Sequence, residues 1–145
     1  ARAGLTHDCP HHGIFMTSTA TREGERFLHL LNLDGFDKEF RIYENGRPLF
    51  GGRKLLLQGK DGVMLPCNVA FGGVNIVYAT AEIVGVAPDG FEFRLTQPAD
   101  VIVLETERGV AADGDAAVRR EGGRWVVESR QHAKVNDRLR IRLTG

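Results

Sequence analysis

The chain has 145 residues, the length of a single domain, and its 19 basic residues balance its 19 acidic ones. A chain of this length buries roughly 70% of the surface that it exposes when unfolded, so one packed domain is expected. Nucleic acids and membranes are not expected partners, because the sequence contains no basic stripe and no run of about 20 apolar residues.

The first segment of the chain is rich in potential metal ligands. Tetrahedral zinc sites usually take their ligands from separated, well-fixed elements, whereas these ligands share one terminal segment around Pro10. The two other histidines, His29 and His132, lie in a predicted strand and in a late predicted loop. We therefore expect no functional metal site. The clustered candidates are His7, Asp8, Cys9, His11 and His12.

Residues 1–12 are interpreted as a linker or lead-in to the first predicted strand. The chain starts with Ala1 rather than Met, so we also expect it to be a piece of a longer protein. Cys9 and Cys67 are the only cysteines, and the sequence leaves open whether they form one disulfide or remain two free thiols.

After the lead-in, short apolar or alternating runs recur, and turns that contain glycine close them. This pattern is typical of an all-β domain, and no window of eleven or more residues keeps a helical apolar stripe free of glycine. We expect residues 13–145 to form one antiparallel two-sheet β-sandwich of about a dozen short strands, jelly-roll or immunoglobulin-like. The predicted strands are 13–19, 26–33, 39–44, 53–57, 62–66, 75–83, 84–87, 91–96, 101–107, 116–120, 124–129 and 138–143.

Several predicted turns have a physical basis. The pair Asn45-Gly46 favours a type I′ hairpin, since both central residues of that turn need positive φ. Pro88-Asp89-Gly90 and the pair Gly122-Gly123 predict two further hairpins. Residues 138–143 alternate strictly, so Leu139, Ile141 and Leu143 are expected in the core and three arginines in solvent, where they would protect a closing edge strand.

No catalytic residue is predicted. Glu82, which lies within an apolar strand, lacks an obvious partner carboxylate for sugar-bond hydrolysis. Glu82 is therefore expected to accept hydrogen bonds at a sheet corner. Other acidic residues lie beside turn glycines, where solvation is the ordinary explanation: Glu23, Glu25, Asp61, Asp89, Asp113 and Asp115. The sequence has no nucleophile elbow, and its glycine pairs lack the strand-loop-helix context of a phosphate cradle, so no cofactor is expected.

Sugar binding is the other function considered, because pyranose rings stack on exposed aromatic side chains. Trp125, Tyr43 and Tyr78 all lie in predicted strands, where core packing is the ordinary role of an aromatic residue. Phe36 and Phe71 lie in glycine-flanked loops, where exposure is more readily expected. The candidate carbohydrate-binding residues are Trp125, Phe36 and Phe71.

Two stretches of the chain carry a resemblance to a known family. They are LLLQGKDG at 55–62 and GGVNIVYATAEI at 72–83, and the earlier run RFLHLLN at 26–32 adds to them. The order of a leucine strand, a Gly-Lys-Asp turn and a Tyr-x-Thr-Ala-Glu-Ile strand resembles the β-sandwich that follows the catalytic barrel in β-galactosidases of glycoside hydrolase family 35. The resemblance covers residues 13–107. The segment TQPAD at 96–100 departs from the glycine-rich segment of fungal members.

The resemblance implies an accessory role. In that family both catalytic glutamates belong to the barrel, and no position here matches their motifs. The expected function is therefore a non-catalytic domain that supports the barrel and the galactoside cleft of a β-galactosidase-like glycoside hydrolase. Its expected partners are the barrel of the same parent chain and galactosides or other glycans. The alternative is a free-standing carbohydrate-binding module.

Overall fold

The computed structural model describes residues 5–22, 25–113, 116–130 and 137–144. Within these ranges the chain forms antiparallel strands and one short 3-10 turn, Phe50–Gly52, and none of its helical segments is long and apolar enough to cross a membrane. The strands are β1 Leu5–His7, β2 Ile14–Arg22, β3 Glu25–Asn32, β4 Lys38–Phe40, β5 Ile42–Glu44, β6 Arg47–Pro48, β7 Leu55–Leu57, β8 Gly62–Phe71, β9 Val74–Ala79, β10 Glu82–Ala87, β11 Gly90–Arg94, β12 Val101–Glu105, β13 Gly109–Asp113, β14 Ala116–Glu121, β15 Arg124–Ser129 and β16 Arg138–Thr144.

A seven-stranded sheet forms the centre of the fold, in the order β14-β15-β12-β9-β8-β3-β2. A four-stranded sheet, β10-β11-β16-β13, forms a second layer. Two small sheets, β1-β5-β6 and β4-β7, complete the architecture. The all-β antiparallel sandwich expected from the sequence is confirmed, with its outer layers divided among these three sheets.

The outer sheets cover opposite faces of the seven-stranded sheet at its two ends. Side chains of directly paired residues lie on the same face, and side chains alternate along a strand. Cys67 pairs with Tyr78, which pairs with Val103, so these three share one face, and Ile102 and Leu104 lie on the other. Cys67 and Tyr78 pack in one core, and Ile102 and Leu104 pack in another on the opposite face. Val103 belongs to a small third cluster with Val101 and Val126, on the same face as Cys67.

The N-terminal core packs the first face against the two small sheets. Leu65 is fully buried there, and Leu5 of β1 is 5% exposed. Burial of this apolar area is the main stabilising term for the N-terminal half. The buried members are Leu5, Met16, Leu28, Leu30, Phe40, Ile42, Phe50, Leu55, Leu57, Val63, Leu65 and Cys67.

The C-terminal core packs the second face against the four-stranded sheet. The three apolar residues of β16 predicted to point inward do so, and Ile141 is fully buried. The buried members are Val74, Ile76, Ala79, Ala81, Phe91, Phe93, Leu95, Ile102, Leu104, Val127, Leu139, Ile141 and Leu143.

The structure confirms the three turns that were predicted from their residue types. Asn45 and Gly46 have φ of 51° and 80° between β5 and β6, as a type I′ turn requires. Gly122 and Gly123 have φ of 53° and 82° between β14 and β15. The Pro88-Asp89-Gly90 segment joins β10 to β11 as expected.

Three features differ from the expectations. The last strand, β16, lies between β11 and β13, so it is not an edge strand, and its arginines instead pair with acidic residues of its neighbours. The chain leaves the sheet at Thr80 and Ala81, so residues 75–83 are divided between β9 and β10. Strands β1, β6 and β13 were not predicted, and β1 lies within the lead-in of residues 1–12.

A buried polar cluster joins the two halves of the domain. Asp100 is 1% exposed, and its carboxylate accepts hydrogen bonds from the Thr80 hydroxyl at 2.6 Å and from the backbone N–H groups of Thr96 and Gln97 at 3.1 Å. The Gln97 side chain reaches across to β7, where Leu56 N–H donates to Oε1 at 2.6 Å and Nε2 donates to Leu56 O at 3.0 Å. The TQPAD segment is therefore the seam between the two cores.

Candidate functional site

The four-stranded sheet covers only part of the second face of the central sheet. Over β2, β3 and β8, the part of the chain that the structure describes leaves Phe15, Leu31 and Met64 of that face exposed, while the N-terminal core lies on the opposite side. Phe15 pairs with Leu31, and His29 pairs with both Thr17 and Met64, so their side chains form a regular array. We call this surface the open face: Phe15, Thr17, Thr19, His29, Leu31 and Met64.

The open face exposes large apolar side chains. Phe15 is 49% exposed, Met64 is 40% exposed and Leu31 is 38% exposed, and the three line one groove. This groove of about 510 Å³ runs over this face, with Glu82 at the start of β10 forming its wall. A cluster of exposed apolar side chains on a folded domain often marks a surface that binds a partner.

Glu82 has the structural role expected from the sequence. Its Oε2 accepts the Met64 backbone N–H at 2.6 Å, a group that β9 no longer covers after it ends at Ala79. Its Oε1 accepts from Arg94 Nε at 2.8 Å and from Arg94 Nη2 at 2.5 Å. Both carboxylate oxygens are thus engaged, and the charge of Glu82 is balanced by Arg94.

A second surface feature is the loop that follows β3. Its tip carries Phe36, which is 48% exposed. Beneath it Asn32 is fully buried, and its side-chain amide donates to the carbonyl oxygens of Phe36 at 2.8 Å, Leu57 at 3.1 Å and Gln58 at 3.2 Å. We call residues 33–37 the Phe36 loop. Its backbone is fixed by a buried side chain rather than only by its own turns.

A buried lysine supports the same loop from the side. The side chain of Lys38 is fully buried, and its Nζ donates to Asp34 Oδ2 at 2.7 Å and to His12 O at 2.5 Å. The Lys38 ammonium also lies 5.1 Å from the centre of the Phe36 ring, and the His11 ring meets that ring edge-on at 5.1 Å. The hydrogen bond from Lys38 lowers the pKa of the half-exposed Asp34 carboxyl, which therefore stays ionised.

Two glycines permit this close packing. A Cβ on Gly59 would lie 2.5 Å from the Gly35 carbonyl carbon and 2.8 Å from Phe36 N, so only glycine lets the two loops meet. Gly13 has φ of +85°, and a Cβ there would lie 2.5 Å from Asp34 Oδ2. The Gly-Lys-Asp turn at 59–61 therefore functions as a support for the Phe36 loop.

The other aromatic candidates for sugar binding lie elsewhere. Trp125 packs on the C-terminal core, and the Arg120 guanidinium lies 5.0 Å from the centre of its ring. Phe71 ends β8 and contacts Phe91 at 5.9 Å between ring centres, beside an apolar pocket of about 400 Å³. The structure therefore shows Phe36, Phe71 and Trp125 in three different environments.

The histidine-rich lead-in is folded onto the domain. His7 Nδ1 accepts the Cys9 backbone N–H at 3.1 Å, and Asp8 Oδ1 accepts the Arg41 backbone N–H at 2.6 Å. In the described ranges, no three His, Cys, Asp or Glu side chains are grouped so that they could hold a metal ion. His132 lies outside the described residues.

The two cysteines are free thiols. Cys67 lies in the N-terminal core, and burial raises the pKa of its thiol to about 11, against a smaller opposing effect of the nearby Arg26. A thiol with this pKa is almost entirely protonated near neutral pH, so Cys67 behaves as a small apolar residue rather than as a nucleophile.

Searches of the chain against protein-family models and against curated proteins return no match. The two surface features that suggest a function are the open face and the Phe36 loop. Sequence reasoning did not identify Phe15, Leu31 or Met64 as exposed, because both faces of β2 and β3 carry apolar residues and periodicity alone does not say which face a second layer covers.

Proposed function

We propose that this chain is a non-catalytic accessory β-sandwich domain of a β-galactosidase-like glycoside hydrolase, and that it supports the catalytic barrel and its galactoside cleft. The open face is the observation that carries the proposal. It leaves Phe15, Leu31 and Met64 in water on a rigid sheet, where a stable neighbouring domain would cover them.

The polar groups of the open face favour contact with an apolar, uncharged surface of the neighbouring domain. Thr17, Thr19 and His29 supply its polar groups, and the Thr19 hydroxyl lies 3.0 Å from His29 Nε2. The carboxylate at its wall, Glu82, is balanced by Arg94. A neighbouring surface of matching apolar character would therefore dock here without having to desolvate an unpaired charge.

A passive role fits the state of Glu82. A glycosidase needs two carboxyl groups across a cleft, one of them free to protonate the leaving group. Glu82 accepts three hydrogen bonds from Met64 and Arg94, so both of its carboxylate oxygens are already engaged in holding the structure. The resemblance of residues 55–62 and 72–83 to family 35 sandwich domains supplies the identity of the proposed parent enzyme.

The proposal is tested by producing this chain and the catalytic domain encoded in the same reading frame as separate proteins. We expect the two to associate, and Phe15→Glu to weaken that association by about tenfold or more because it places a charge in an apolar contact. The matched control is Val84→Glu, since Val84 is 42% exposed on β10, outside the open face.

A reading frame without a barrel domain would contradict the proposal. Equal weakening of the association by Phe15→Glu and Val84→Glu would remove the open face as the docking surface. Turnover of a chromogenic galactoside by the purified chain, abolished by Glu82→Gln, would contradict the passive role.

A further inference from the structure

We propose that the Phe36 loop is a contact site for a neutral pyranose sugar, with the exposed ring of Phe36 as the stacking platform and the carboxylate of Asp34 as a hydroxyl acceptor. This inference goes beyond the accessory role, because it concerns binding by this chain alone and needs no catalytic domain.

The exposed ring of Phe36 is carried by a loop that several hydrogen bonds hold in place. The Asn32 amide fixes the loop from below, Gly59 lets the neighbouring turn approach it, and the Gly59 N–H donates to Asp37 Oδ1 at 3.0 Å. Lys60 adds two bonds, from its backbone N to Asp34 O and from its Nζ to Leu33 O, both at 2.8 Å. A preorganised ring loses little conformational entropy when a ligand stacks on it.

The buried side chain of Lys38 orients a carboxylate of the same loop. Removing an ammonium group from water is costly, and here the compensating partners are Asp34 and the His12 carbonyl. Asp34 itself is about half exposed, so the buried cation orients a carboxylate that still faces solvent. The bond from Lys38 is made to Oδ2, and a carboxylate has about four lone-pair sites, so Asp34 keeps the capacity to accept a ligand hydroxyl.

The groups around Phe36 match the chemistry of a sugar. Sugars present an apolar face of C–H groups together with hydroxyls, and this loop places an aromatic ring, a carboxylate and the His11 imidazole side by side. The two carboxylates of the loop, Asp34 and Asp37, are matched in number by two ammonium groups that donate to it, those of Lys38 and Lys60. The loop therefore offers no net charge to a cation or an anion. A neutral sugar is the ligand class that this arrangement favours.

The test is titration of the 145-residue chain, followed by NMR chemical shifts, with methyl β-galactopyranoside, lactose and cellobiose up to about 50 mM. Galacturonate and galactosamine serve as charged comparisons. We expect millimolar binding of at least one neutral sugar, with shifts centred on residues 33–37. Both charged sugars should bind more weakly than the neutral sugar of the same ring.

Variants then assign the site. Phe36→Leu keeps an apolar side chain but removes the ring, and it should raise the dissociation constant by about tenfold. Phe36→Tyr should retain binding, and thermal unfolding verifies that both variants are folded. Phe15→Leu is the matched control, because Phe15 is 49% exposed on the open face and Phe36 is 48% exposed.

The inference is overturned if no neutral sugar shifts the loop resonances, or if Phe15→Leu weakens binding as much as Phe36→Leu does. These outcomes are separate from the docking test, since sugar binding is measured without any catalytic domain. Association with the catalytic domain can therefore fail while the sugar site stands, and the reverse also holds.

Discussion

Single side chains fix the position of the lead-in on the domain. His7 is the clearest of them, because its ring packs edge-on against Phe40 at 5.7 Å and its Nδ1 accepts the Cys9 N–H. Burial lowers the pKa of His7 below its ordinary value of 6.5, and Lys38 and His12 act in the same direction against Asp8. Protonation of this ring is therefore coupled to the packing of β1.

Because folding lowers the pKa of His7, the free energy of unfolding should depend on pH. The unfolded chain binds a proton at His7 more readily than the folded chain does, so the stabilising contribution is present above pH 6.5 and is lost as the pH falls below that value. We expect the free energy of unfolding, measured in urea, to fall between pH 7 and pH 5.5.

The matched variant is His7→Asn, which keeps a polar acceptor but does not titrate in this range. Its unfolding free energy should change less between the same two pH values. The carboxyls with lowered pKa, among them Asp8 and Asp34, contribute only at lower pH, because their ordinary value is already 3.8. An identical pH dependence in both proteins would show that His7 is not the titrating group.

Among the strands and turns, features that depend on neighbouring residues could be predicted from the sequence. The pairing of strands that are distant in the chain could not. The turn at Asn45-Gly46 and the alternation of β16 depend on neighbouring residues alone, and both were predicted. The insertion of β16 between β11 and β13 depends on pairing across distant parts of the chain, which no local pattern encodes. Strand β1 has only three residues, too few for a period to be seen.

The candidate site shows the same division. Phe36 was named from its glycine-flanked loop, and its exposure agrees with that reasoning. The support given by Asn32, Lys38 and Gly59 was not predicted, because it joins the Phe36 loop to the lead-in and to a turn more than twenty residues away.

The buried polar cluster around Asp100, which joins the two cores, should contribute to the stability of the domain. Asp100→Ala would leave the Thr80 hydroxyl and the N–H groups of Thr96 and Gln97 buried without their acceptor. We expect a loss of about 3 to 5 kcal/mol in the free energy of unfolding, measured by urea denaturation.

Asp89→Asn is the control for that loss. Asp89 lies in an exposed turn and its side chain is 69% exposed, so the change should stay within about 0.5 kcal/mol. A similar cost for both variants would mean that the seam adds no more to stability than a surface turn.

For the whole molecule, one sheet passes through both cores, and this governs how the protein unfolds. Strands β8 and β9 belong to the seven-stranded sheet and contribute to the N-terminal and C-terminal cores, respectively. Neither core can be lost without exposing strands that the other half uses. We therefore expect one cooperative transition rather than two.

The prediction is tested with one core substitution in each half. Leu65→Ala and Ile141→Ala both remove a fully buried side chain, and each should cost about 2 to 5 kcal/mol. Trp125 is the only tryptophan and reports on the C-terminal core, while far-UV circular dichroism reports on all strands. The two signals should shift together in both variants.

Independent halves would give a different result. In that case Leu65→Ala would change part of the circular dichroism signal at low urea while Trp125 fluorescence kept the midpoint of the unmodified protein. Such a separation of the two curves would show that the central sheet does not couple the cores.

The burial of Leu5 has a practical consequence for anyone shortening this protein. Strand β1 shields one side of β5, pairing Leu5 with Glu44 and His7 with Ile42. A truncated form that starts at residue 13 would leave a cavity beneath β5 where Leu5 packs. It would also expose the edge of β5, whose backbone amides could then pair with other chains and cause aggregation. Purification handles and fusion partners should therefore be joined ahead of residue 5.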